Sequence, residues 1–181
     1  MVSSGTAVFS GDQLVADLDE RETRGLLLLN GRLRNGTAVV ESPEIGRVTL
    51  ELEEAKTQIT PQVAGETLHF LIEVKGGATI GAADMPSGRS LDNKMYEEVG
   101  ELLEEQLKQN CEEVIAACIQ ENHSDIFNFG RRVYQTYPSY WKQHGTNWNE
   151  EMAEAGYEVH VEIQLRRGGQ EITGLQSAVN M

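Results

Sequence analysis

Four histidines, two cysteines and many carboxylates are the residues of this 181-residue chain that could carry out chemistry. Metal ligation needs such groups at converging spacings. His69, His123, His144 and His160 stand far apart, and neither Cys111 nor Cys118 has a Cys or His partner at zinc-site spacing. His123-Ser124-Asp125 contains the letters of a hydrolase triad. Adjacent residues, however, cannot hold an imidazole between hydroxyl and carboxylate, so the tripeptide reads as a helix junction. There is no Gly-x-Ser-x-Gly, Walker A loop or Rossmann fingerprint, and Gly76-Gly77 and Gly168-Gly169 read as turns. The glutamates between 97 and 105 belong to the solvated side of a helical pattern and read as surface charge, not as paired catalytic carboxylates. No catalytic, cofactor-binding or metal-binding residue is assigned, no cofactor is read from the chain, and the protein is read as not an enzyme.

What stands out instead is an aromatic group: Tyr134, Tyr137, Tyr140, Trp141 and Trp148, with Pro138 among them. Such rings are either core and half-buried capping groups or an interface, where Tyr and Trp are enriched. Tyr134, Tyr137 and Tyr140 are the interface candidates, and Trp141 and Trp148 the rings expected to close the core between helices and sheet. The formal net charge of −14 repels a nucleic-acid backbone, and the basic pairs Arg131-Arg132 and Arg166-Arg167 are too small to reverse that. No nucleic-acid partner is expected. Leu26 to Leu29 is the longest leucine run, far short of a membrane-spanning helix. The first five residues carry no positively charged or apolar leader pattern. The chain as given reads as soluble.

The elements that must position these residues follow from periodicity and turn chemistry. Two β-prone runs, Thr6-Ala7-Val8-Phe9 and Leu14-Val15-Ala16-Asp17-Leu18, flank Ser10-Gly11-Asp12-Gln13 and predict a hairpin. Asp19 can cap a helix that opens with Glu20 and Glu22 and stops at Asn30-Gly31, although a strand through the leucines is also compatible. Strands are predicted over 37–41, 48–53, where alternation is strict, 57–61 and 67–74; Gly76-Gly77 would bulge or break the last, which resumes at Ala78. From 90 to about 122, Met95, Val99, Leu102, Leu103, Leu107, Cys111, Val114, Ile115, Cys118 and Ile119 recur at helical spacing. This predicts a long amphipathic helix capped by Ser90, with Asp92 near its positive end and with Glu101, Glu104 and Glu105 exposed. Two turns of rise, roughly 10 Å, keep the two cysteines from bonding. Asp125 is expected to cap a second helix bearing Ile126, Phe127, Phe129, Val133 and Tyr134, which ends near Tyr137-Pro138 and resumes through Tyr140-Trp141. A last strand covers 157–165, and residues after about 168 read as a frayed tail. The fold class is α+β: a mostly antiparallel sheet with a long amphipathic helix and shorter helices on one face, in a single domain over 1–181.

Several of these segments resemble one family. Gly5-Thr6-Ala7-Val8-Phe9, then Leu14-Val15-Ala16-Asp17-Leu18-Asp19-Glu20-Arg21-Glu22-Thr23-Arg24-Gly25, is similar to the opening of the C-terminal domain of GerAC-type spore germination lipoproteins. The similarity resumes at Lys56, Ile59 and Pro61, at Asp125-Ile126-Phe127-Asn128-Phe129-Gly130, and at Tyr137-Pro138, Trp141, Asn147-Trp148 and the strand up to Arg166-Arg167-Gly168. Ala16 and Asn128 stand where the family pattern has Gly. The resemblance implies a non-enzymatic subunit of a nutrient germinant receptor, contributing to receptor assembly and signalling. It also implies integral-membrane A and B type subunits as partners, and a lipid anchor, outside this fragment, on the outer face of the spore inner membrane. In that case Met1 is an engineered start and the chain an excised domain. A module that binds the nutrient directly is the competing reading. Glu22, Arg24 and Gly25, in the most specific motif, read as structural: Arg24 as a surface pair or a buried donor to carbonyls, Gly25 as allowing a positive φ or close packing against the sheet.

Overall fold

The computed structural model describes residues 5–10, 12–86 and 92–166. The chain opens with the predicted hairpin of β1 (Thr6–Ser10) and β2 (Gln13–Leu18), which forms a two-stranded sheet of its own with an irregularity after Val8. Helix α1 (Glu20–Leu29) follows, and the helical reading of the leucine run holds over the strand. Its start is a complete capping box: the Asp19 carboxylate accepts from the Arg21 and Glu22 amides, and Glu22 accepts from the Asp19 amide at 2.8 Å. Gly31, at a φ of 61°, ends it.

The main sheet comprises β3 (Gly36–Ser42), β4 (Gly46–Leu52), β5 (Lys56–Ala64), the 18-residue β6 (Thr67–Asp84) and β7 (Gly156–Arg166). β6 is its spine. β5 pairs antiparallel with the first half of β6 and β4 with the second, both on one edge, while β7 runs parallel along the other edge from His69 to Thr79. β4 and β5 therefore lie end to end. The break predicted at Gly76-Gly77 falls in the partner instead: β6 runs on through both glycines, and residues 53–55 form the interruption. The missing side chains make room for it, since a Cβ on Gly76 would stand 3.2 Å from the Ala55 Cβ and one on Gly77 2.6 Å from a Glu53 carboxylate oxygen. The Glu53 amide still donates to the Gly77 carbonyl at 2.9 Å. Pro61, unable to donate, sits in β5, which has no second strand neighbour among the described residues.

Helix α2 (Asn93–Ile115) packs against α1 and the sheet, burying Met95, Val99, Leu103, Leu107, Cys111, Val114 and Ile115. Asp92 caps it, accepting from the Met95 amide at 2.9 Å; the expected cap, Ser90, lies outside the described residues. Leu102, placed on the apolar side by spacing, is exposed, and Glu104, placed on the wet side, is half-buried, because α2 runs along the edge of the sheet and its flank meets β7. The helix continues as a π-helical stretch, Ala116–Glu121. Three short helices follow: α3 (Phe129–Thr136), α4 (Pro138–His144) and α5 (Trp148–Glu154). The second helix thus begins three residues later than the sequence suggested, so Ile126 and Phe127 precede it. α5 was not anticipated, because seven residues are too few to show a period. The result is an α+β fold with one contiguous apolar cluster linking helices and sheet. The tail after 168 lies outside the described residues.

Candidate interaction surface

The residues that resembled catalytic parts are engaged in structure. Asp125 accepts from the Phe129 and Gly130 amides at 2.8 and 2.7 Å and from the Trp148 indole N–H at 3.1 Å. It thereby caps α3 and ties it to α5. Ser124 is buried, and exposed His123 sits in the left-handed region at a φ of 50°, so the three side chains form no relay. Cys111 and Cys118 are unpaired and buried, and burial pushes their thiols up to about 12 and about 11. Among the described residues, no three His, Cys, Asp or Glu side chains gather as a metal would require.

The aromatic group divides between core and surface. Gly130 lets two indoles approach: a Cβ there would stand 2.7 Å from Trp148 Nε1 and 3.1 Å from Trp141 Cη2. The two indole rings lie 5.1 Å apart, Trp148 buried and Trp141 half-buried. They pack over Gly130 of α3, Trp148 within the apolar cluster that links helices and sheet and Trp141 against it. Asn128, just before α3, has a φ of 59°. Asn is among the side chains that best tolerate this left-handed region, so it suits a position where the resemblance led one to expect Gly. Ala16 has no positive φ.

Of the three tyrosines singled out from sequence, Tyr134 is 58% exposed and meets the edge of Trp141 at 6.1 Å. Tyr137 is half-buried against the core. Tyr140, at 7% exposed, does not present its ring to solvent. It stacks on His144 at 4.1 Å and donates its hydroxyl to Glu151, which also bonds His144 Nδ1 at 3.0 Å. Desolvation, followed by the Glu151 hydrogen bond, raises the Tyr140 pKa. This Tyr–Glu–His network locks α4 to α5. The sequence offered only His144 and Glu151 seven residues apart as a hint of it.

Arg24 and Gly25 hold the two helices and the sheet together. The Arg24 guanidinium, only 11% exposed, donates to the Thr37 carbonyl at 3.0 Å and to Glu20 at 3.1 Å, and desolvation lowers its pKa. Gly25 faces α2, not the sheet: an added Cβ would lie 2.6 Å from the Asn110 carbonyl carbon and 3.0 Å from the Cys111 nitrogen. The most specific sequence motif is thus a helix-crossing device.

No described helix is long and apolar enough to cross a membrane. The crystal structure of the GerBC protein superposes with a TM-score of 0.76 over 90% of this chain and 50% of that one, at 19% identity, which establishes the shared fold. Two Bacillus subtilis (strain 168) proteins are similar in sequence. Spore germination protein YndF is 24% identical over 170 residues, 92% of this chain and 42% of YndF. Spore germination protein KC is 24% identical over 123 residues, 67% of this chain and 30% of KC. The chain thus spans less than half of either relative. The profile of the spore germination B3/GerAC-like family, C-terminal region, matches residues 4–169. The chain therefore belongs to the GerAC-like spore germination family, a non-enzymatic class, and carries its C-terminal domain.

Proposed function

We propose that the chain is part of the C-type subunit of a spore nutrient germinant receptor and acts by protein–protein contact, contributing to receptor assembly and signalling in germination. The family match along residues 4–169 carries this reading. The integral-membrane A and B type subunits are the partners, and the full-length protein is lipid-anchored on the outer face of the spore inner membrane through a segment outside this chain. Tyr134, with the exposed rim of Tyr137, supplies apolar area with polar handles, as interface hot spots do; Tyr140 acts only by holding α4 in place. The competing nutrient-binding module calls for a concave, largely apolar pocket. Two of the grooves beside α2 are instead rich in carboxylates, which make up five of ten lining residues in one and three of seven in the other.

Co-purification of the full-length protein with the A and B subunits tests the proposal, with Tyr134→Ala and Tyr137→Ala as folded variants. Association that weakens in both supports it. Absence of A and B from material carrying the unaltered protein would refute the receptor reading, and unchanged association in the variants would refute the aromatic face.

A further inference from the structure

On a chain of net charge −14, a cation that finds no carboxylate is informative. Arg24, Arg34, Lys75, Lys94, Lys108 and Arg166 each reach a glutamate. Among the described residues Arg131, Arg132 and Lys142 form no ion pair, and all three belong to α3 and α4. The remaining unpaired cations, Arg21, Arg32, Arg47 and Lys56, stand singly on α1, the loop after it, β4 and β5. The local sequence explains the difference. From Asn122 to Asn149 the chain has one acid, Asp125, and its carboxylate is taken by the Phe129 and Gly130 amides and the Trp148 indole. Glu150 and Glu151, at the start of α5, are held by Asn147 and by Tyr140 with His144.

The same two helices carry the aromatic ring that reaches solvent. Arg131 lies three residues before Tyr134 and so on the same side of α3, and both are exposed. Tyr134 meets Trp141 of α4 edge-on, and exposed Lys142 follows Trp141. Arg132 is half-buried, with its Nε shielded from water and without a hydrogen-bond partner.

We propose that the exposed side of α3 and α4 is a docking surface for an acidic segment of a partner protein, whose carboxylates pair with Arg131, Arg132 and Lys142 while an apolar side chain covers Tyr134. A guanidinium presents its N–H groups as a planar fork that a carboxylate meets with two hydrogen bonds. Turning Arg132 onto such a carboxylate supplies the acceptor its Nε lacks. Tyr and Arg are also the residue types that dominate interface energetics. The occupant is a short segment and not an anionic membrane surface, because a broad plane of negative charge meets the repulsion of the whole acidic domain, whereas screening confines a short segment to the patch.

The inference rests on reading the chain as an interaction domain and gives the chemistry of the partner's side, but it is tested separately, on the 181-residue chain alone. The probe is a short synthetic peptide of glutamates flanking a leucine; its glutamine analogue and phosphatidylglycerol vesicles are run beside it. Nitrogen–proton correlation spectra read the response. The glutamate peptide should shift the Arg131 and Tyr134 amides and the Trp141 indole, and leave the Arg21 and Arg47 amides in place. Arg131→Ala with Lys142→Ala should weaken binding about fivefold, the sum of two exposed charge contacts. Arg21→Ala with Arg47→Ala, which removes the same charge elsewhere, should not change it. Arg132→Lys, which keeps the charge and loses the fork, should weaken it. No shift at about 1 mM peptide, equal binding of the glutamine analogue, or equal loss in the two double variants overturns the proposal. So does a response of this face to the vesicles without one to the peptide. None of these measurements uses the A or B subunits, so the co-purification test can fail while this one succeeds, and the reverse.

Discussion

Replacing Gly25 with alanine tests the helix crossing on which the domain is built. The new methyl carbon would lie 2.6 Å from the Asn110 carbonyl carbon and closer still to its oxygen. Carbon atoms settle at about 3.5 Å or more, so α1 and α2 must part by about 1 Å. Neither side can yield by rotating a side chain, because the atoms met are backbone. Alanine gains about 1 kcal/mol over glycine in helix propensity, but overpacking a tight contact costs about 1–3 kcal/mol. Parting the helices also loosens Leu28, Leu29 and Cys111, all buried. The net expectation is a loss of about 2 kcal/mol, which at a urea dependence of about 2 kcal/mol per molar lowers the unfolding midpoint by about 1 M. Gly100 of α2 is the internal control, since an added Cβ there meets nothing within 4 Å. Gly100→Ala should raise stability by about 0.5–1 kcal/mol, and so the midpoint by about 0.25–0.5 M. Urea titrations followed by tryptophan fluorescence and circular dichroism read both. A Gly25→Ala protein as stable as the parent would show that the crossing is not close-packed and that the motif's glycine has another role.

Asp125→Ala removes the acceptor of three donors and should cost about 2–3 kcal/mol, with a red-shifted Trp148 emission; an unshifted spectrum with an unchanged midpoint would count against its role as hub. Arg24→Ala leaves the Thr37 carbonyl without its donor and should cost about 1–2 kcal/mol, whereas Arg21→Ala on the exposed face should fall within about 0.5 kcal/mol of the parent. The cysteines should resist aromatic disulfide reagents in the native chain at pH 8 and react fully in urea; rapid native labelling would contradict their burial. Their pKa values are raised from 9.0 to about 12 and about 11, so the folded state favours the neutral thiols. That contribution to stability is complete below pH 9 and is lost as pH rises through 11–12. A Cys111→Ala, Cys118→Ala variant should therefore lose less stability between pH 9 and 11 than the parent.

Much of the fold was legible because local rules and tertiary needs agree. Asp19 and Glu22 make a capping box from sequence spacing alone. Strict alternation through Val48, Leu50 and Leu52 fixed which face of β4 is buried, and the spacing of Leu103, Leu107, Cys111 and Val114 fixed the buried stripe of α2. Where several residues share a period, the chain states its own geometry. The departures came where contacts distant in sequence outweigh the local pattern. The parallel partner of β6 comes from a strand about 90 residues later, which no periodicity encodes. The break beside Gly76-Gly77 passed to residues 53–55 because the glycines accommodate a bulging neighbour. Glu104 reads as a solvated helix residue until β7 supplies the Ile163 amide, 59 residues away. Tyr140 reads as a surface ring until Glu151 and His144 enclose it. Sequence alone thus determined the elements, their caps and the family motifs. Only the tertiary structure decided which glycine a helix backbone presses on, which rings reach solvent and which strand α2 flanks, because each depends on groups brought together from separate parts of the chain.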